Sequence, residues 1–82
     1  MSAATAELIE RTLRDAEGTL SAAECATRTG ISRVSARRYL EHFHTTGTAD
    51  VSLRYGTTGR LERRYRFRGR PADLRSGGEA RA

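Results

Sequence analysis

Eighty-two residues of 9.1 kDa fit one small domain, near the size at which a single core barely suffices. Hydrophobic residues make up 37% and twelve of them are Ala, so few large side chains are left to build that core. All fifteen basic residues are Arg, set against ten acidic ones, for a net charge of +5. No apolar run approaches the ~20 residues of a membrane span, and no charged-then-apolar leader opens the chain. A cytoplasmic protein is therefore expected, with no membrane partner. Cys25 alone cannot form an internal disulfide. One Cys and two His cannot make a Cys/His zinc site, so no metal or cofactor is expected.

Residues 1–4 carry little pattern and are expected to fray. Thr5 can N-cap a first helix, with Glu7 in the turn where an anion suits the helix dipole. Leu8, Ile9, Thr12, Leu13 and Ala16 then recur at helical spacing, and Gly18 reads as the stop. Thr19 and Leu20 form a short extended link.

Ser21 opens a second helix. Ser21-x-x-Glu24 has the spacing of a capping box, in which each side chain satisfies the other residue's orphan N–H. Ala22, Ala23, Cys25 and Ala26 are small, which lets another helix approach closely. Gly30 can take the positive φ of a sharp turn. Ser32 caps a third helix, from about Arg33 to Thr45, whose Ala36, Leu40 and Phe43 share one face.

The period then falls from 3.6 to 2. Val51, Leu53 and Tyr55 alternate with Ser52 and Arg54. After the Gly56-Thr57-Thr58-Gly59 turn, Leu61, Arg63, Tyr65 and Phe67 alternate with Glu62, Arg64 and Arg66. Two such runs joined by a Gly-bounded loop predict a β-hairpin. From Gly69 the pattern dissolves into Pro, Gly, Ser and mixed charge, so residues 69–82 are expected to form a disordered tail. The predicted architecture is α+β: a winged helix-turn-helix over residues 5–68, with three helices followed by a two-stranded β-hairpin wing.

Charge follows these elements. Residues 33–70 hold ten Arg against Glu41, Asp50 and Glu62, a balance of +7, while residues 1–32 are net acidic. A helix-turn-helix places the start of its second helix in the DNA major groove. That start holds Arg33, Val34, Ser35, Arg37 and Arg38. Arg can bond guanine bidentately, Ser reaches several base edges, and Val suits a thymine methyl. Tyr39 is expected nearby, with its hydroxyl on phosphate. On the wing, Arg54, Thr57, Thr58, Arg60 and Arg64 are candidates for the phosphate backbone or a narrow minor groove. No nucleophile–base set, phosphate-cradling loop or acidic pair stands out, so neither an enzyme nor a small-molecule substrate is expected. Competing readings are an RNA- or ribosome-associated basic winged helix and a protein-interaction winged helix. The lack of an aromatic stacking platform argues against single-strand binding.

The stretch ISRVSARRYLEHF, with VSLRYGTTGR and RRYRF after it, resembles the C-terminal DNA-binding domain of citrate/dicarboxylate-type two-component response regulators. The resemblance covers about residues 19–67. It implies a transcription regulator that binds double-stranded DNA, reading it with Arg33, Ser35, Arg37 and Arg38. It also implies a wing built on Arg54, Tyr55, Gly56, Gly59 and Arg60. Leu61 departs from the Pro expected after the wing's Gly-Arg. Such regulators carry a receiver domain of over one hundred residues, which 82 residues cannot also hold. The chain is thus expected to be an excised effector domain or a free-standing relative, with a receiver domain or a second copy as partner.

Overall fold

A computed structural model of the chain describes residues 1–56 and 59–69. Its elements run α1 (Ala3–Asp15), β1 (Leu20–Ser21), α2 (Ala22–Thr29), α3 (Arg33–Thr45), β2 (Ala49–Tyr55) and β3 (Leu61–Phe67). The helices pack on an antiparallel sheet of strand order β1-β3-β2.

The first helix differs from the sequence expectation at both ends. It starts at Ala3, within the segment expected to fray, and its cap is Ser2, whose Oγ accepts the Thr5 N–H. The Ser2 N–H in turn donates to the Tyr39 hydroxyl at 2.8 Å, which ties the start of the chain to α3. The helix ends at Asp15 because Ala16 is already extended, so Gly18 lies beyond the stop.

Helices α2 and α3 follow their local chemistry closely. Both halves of the Ser21–Glu24 capping box form, at 3.0 and 3.1 Å. Gly30 caps α2 in the left-handed region at φ 77°, where a Cβ would be strained. Ser32 caps α3 through the Ser35 N–H.

The hairpin forms in the expected register, with Val51 opposite Tyr65 and Tyr55 opposite Leu61. Beside it, Leu20 and Ser21 pair with Tyr65 and Arg64, so the expected extended link is a third strand. Two residues form a strand here only because β3 offers them a partner. Gly69, where the tail was expected to begin, is buried and donates to the Thr48 carbonyl. Residues 70–82, and with them nearly all of the expected tail, lie outside the described residues.

The core is a single cluster of Ile9, Leu13, Leu20, Cys25, Ala36, Tyr39, Leu40, Phe43, Ala49 and Tyr65. The hairpin joins it only at its base. Val51 and Phe67 pack against the cluster, whereas Leu53, Tyr55 and Leu61 stay 59–76% exposed. The alternation seen in the sequence therefore continues past the point where the core ends.

Candidate nucleic-acid interface

Helix α3 sorts its residues by angle. Ala36, Tyr39, Leu40 and Phe43 face the core. Arg33, Arg37 and Glu41 follow one another at four-residue spacing, which stacks them on one stripe. Val34 and Arg38 form the neighbouring stripe and are exposed, Val34 at 75%. Ser35 is half-buried, and its backbone N–H is taken by the Ser32 cap.

The Arg33–Arg37 stripe meets the wing across a cleft. Its walls are Ser21, Ala22 and Ala23 at the start of α2, Arg33 and Arg37 on α3, and Arg60 to Arg63 with Tyr65 on the wing. Small residues on the α2 wall keep the cleft open. The wing turn is fixed by the Gly56 N–H, which donates to the Arg60 carbonyl at 2.8 Å, and by Gly59 at φ 82°. A Cβ on Gly56 would sit 3.0 Å from the Glu62 carboxylate, which would have to give way slightly. Thr57 and Thr58, expected at the wing tip, lie outside the described residues.

Three side chains hold the wing against α3. Arg63 donates from Nε to Glu41 Oε2 at 2.6 Å and from Nη2 to Oε1 at 3.0 Å. The Tyr65 hydroxyl donates to the same Oε2. Partial burial works against charge on Glu41, but Tyr65 and Arg63 outweigh it and hold its carboxyl below the ordinary range. Burial, reinforced by the carboxylate, pushes the Tyr65 phenol up. Sequence reasoning missed this group. One sign of it was present: Arg63 is the lone charge on the hairpin's apolar parity.

Two expected contact residues are engaged inside the protein. Tyr39 is only 7% exposed, and its hydroxyl receives the Ser2 N–H, so it is a core residue and not a surface one. Arg64 is engaged within the protein. Its guanidinium donates to Thr19 Oγ1 at 2.8 Å, the Thr19 carbonyl at 3.1 Å, Glu24 at 2.7 Å and Glu62 at 2.5 Å. It ties β3 to α2 and to the residue before β1. Glu24 is held low chiefly by the Ser21 N–H of the capping box; burial opposes this, and Arg64 adds to the lowering.

The remaining candidates differ in kind. Among the described residues no hydrogen bond or ion pair engages the guanidinium groups of Arg33, Arg37, Arg38, Arg54 or Arg60, and all five are exposed. Arg54 stands across from Glu62 on the wing's other face.

Three helices, a tight Gly turn between the second and third, and a hairpin beside the third define a winged helix-turn-helix. Its sequence relatives are bacterial regulators. The chain is 42% identical over 57 residues to the probable C4-dicarboxylate response regulator DctR of Bacillus subtilis, which covers 70% of this chain and 25% of that protein. It is 38% identical over 65 residues to the protein of the same name from Priestia megaterium, covering 79% and 28%. It is 39% identical over 61 residues to the transcriptional regulatory protein CitT of B. subtilis, covering 74% and 27%. The chain thus spans about a quarter of the length of each of these relatives. No family model matches it. Among solved structures, a possible transcriptional regulator from Methanosarcina mazei Go1 superposes with a TM-score of 0.72 at 10% identity, over 93% of this chain and 62% of that one. That likeness shows the fold. Among the described residues no helix is long and apolar enough to cross a membrane.

Proposed function

We propose that the chain binds double-stranded DNA sequence-specifically as a module of a transcription regulator. In the whole protein it serves as the effector domain of a cytoplasmic two-component response regulator, paired with a receiver domain. Helix α3 enters the major groove, where Arg33, Arg37 and Arg38 meet base edges or flanking phosphates and Val34 meets a thymine methyl. Arg60 and Arg54, with Thr57 and Thr58 between them in the sequence, meet the backbone beside it. The reading contains no catalytic step and no cofactor.

One observation carries it. On α3 and the wing the arginines divide into those consumed by the fold, such as Arg63 and Arg64, and those without a hydrogen bond or ion pair among the described residues. Three of the free ones, Arg33, Arg37 and Arg60, line the same cleft. A cleft walled by unpaired guanidinium groups fits a polyanion. The names of the sequence relatives supply the regulatory context.

Selection of duplexes from a random pool at fixed salt tests this. An enriched motif is expected, and its half-site spacing reports how two copies sit on DNA. Preference for structured RNA in a parallel selection would replace the reading with the RNA-binding one. Weak attraction to all sequences, abolished by salt, would replace it with a protein-interaction role.

A further inference from the structure

Glu41 is the only acidic residue of α3. It is third in the stripe that Arg33 and Arg37 begin, beside the exposed Arg38. Its carboxylate receives the Arg63 fork and the Tyr65 hydroxyl. On the outer half of the hairpin Leu53, Tyr55 and Leu61 are exposed and lie outside the core cluster. Among the described residues, Arg63 is the hydrogen-bonded tie to α3 nearest the wing tip. A bidentate fork fixes angle as well as distance. It also removes one cation from the cleft wall that Arg63 shares with Arg33, Arg37 and Arg60.

We propose that Glu41 is a positioning and specificity-determining residue. Through Arg63 and Tyr65 it sets the wing's stance against α3, so that only certain duplexes meet Arg33, Arg37 and Arg60 together. By engaging Arg63 it also withholds that side chain from unselective phosphate contact. This rests on the duplex-binding reading above.

The test uses the full chain and two probes: the duplex enriched by selection and a scrambled duplex of equal length and composition. The wild type must first discriminate between them, and failure at this step overturns the duplex-binding reading itself. Given discrimination, Glu41→Ala should lower the ratio of the two affinities about tenfold, a coupling ordinary for neighbouring charged groups. The scrambled duplex should bind more tightly, with a salt slope steeper by about one, as the freed Arg63 reaches phosphate. Arg60→Ala, costly in the wild type, should cost little in the Glu41→Ala background. Arg63→Ala should lower the ratio without tightening the scrambled duplex, which separates positioning from masking. Glu41→Gln keeps an acceptor oxygen and should fall between the wild type and Glu41→Ala. If Glu41→Ala and Arg63→Ala lower the melting temperature while the affinity ratio and the cost of Arg60→Ala stay unchanged, Glu41 is structural only and the inference is overturned.

Discussion

Arg63 and Glu41, 22 residues apart, form a two-pronged ion pair at 2.6 and 3.0 Å that joins the wing to the helix beside it. Both side chains are a little over one-third exposed, so water screens the pair and its stabilisation is about 1 kcal/mol or less. The carboxyl is depressed in the folded state. Its contribution is therefore present above the ordinary carboxyl range and lost as pH falls through the lowered value. The Tyr65 phenol is raised, so its contribution holds below the ordinary tyrosine range and is lost as pH rises through the raised value. Thermal unfolding of wild type and Glu41→Gln should differ by a few degrees near neutrality and converge in acid. A difference that persists in acid would remove Glu41 ionisation as its source.

The free arginines should separate by what they touch. Replacing Arg37 or Arg38 by Ala should cost about 1–3 kcal/mol on the preferred duplex if that side chain reads a base. It should also relax preference at one position of the enriched motif. Replacing Arg60 should weaken the preferred duplex more than others without shifting preference at any one base position, and flatten the salt slope by about one. Titrations at several salt concentrations measure both effects. If all three variants bind as the wild type does, the interface is misplaced.

Tyr39 separates stability from binding in the opposite way. Its ring is buried and its hydroxyl accepts the Ser2 N–H at 2.8 Å. Tyr39→Phe should cost about 0.5–1.5 kcal/mol of stability and leave duplex affinity intact. Loss of affinity in a folded Tyr39→Phe would return the hydroxyl to the interface.

How far the sequence discloses the molecule follows from the range of each interaction. Helices α2 and α3 were legible because Ser21, Glu24, Gly30 and Ser32 act on their own neighbours within a turn. Strand β1 was not, because two residues form a strand only against β3, over forty positions away. Arg63 and Arg64 look alike in the sequence. Their roles are set by Glu41 on one side and by Thr19 and Glu24 on the other, 22 to 45 residues distant. Tyr39 was placed on the wrong side of α3 because Ala36, Leu40 and Phe43 define the core face without showing how wide it is. The candidate cleft was legible as a charge pattern; which arginines remain free in it was not.

The wing illustrates the same limit and carries its own prediction. Leu53, Tyr55 and Leu61 continue the hairpin's apolar parity but project beyond the core. Replacing Leu53 with Thr should change stability by no more than about 0.5 kcal/mol, as for an exposed site. Replacing Leu13, which is 1% exposed, with Ala should cost about 2–5 kcal/mol. Chemical denaturation of both variants checks the contrast. A large loss at Leu53 would mean that another surface covers the outer wing.

Arg64 and Arg60 lie on the same strand–turn segment and should give opposite results. The Arg64 side chain is 15% exposed and donates to Thr19, Glu24 and Glu62. Removing it leaves the Thr19 carbonyl and two carboxylates without their shared donor, and it loosens β3 from α2. Arg64→Ala should therefore cost about 1–3 kcal/mol, roughly 4–8 °C of Tm per kcal/mol for a domain of this size. Duplex affinity per folded molecule should hold. Arg60 has no such partner among the described residues, so Arg60→Ala should leave Tm nearly unchanged and weaken binding. Melting curves and salt-controlled titrations of the two variants decide the matter. If Arg64→Ala instead leaves Tm intact and lowers affinity, Arg64 belongs to the interface and its bonds to Thr19 and Glu24 are incidental.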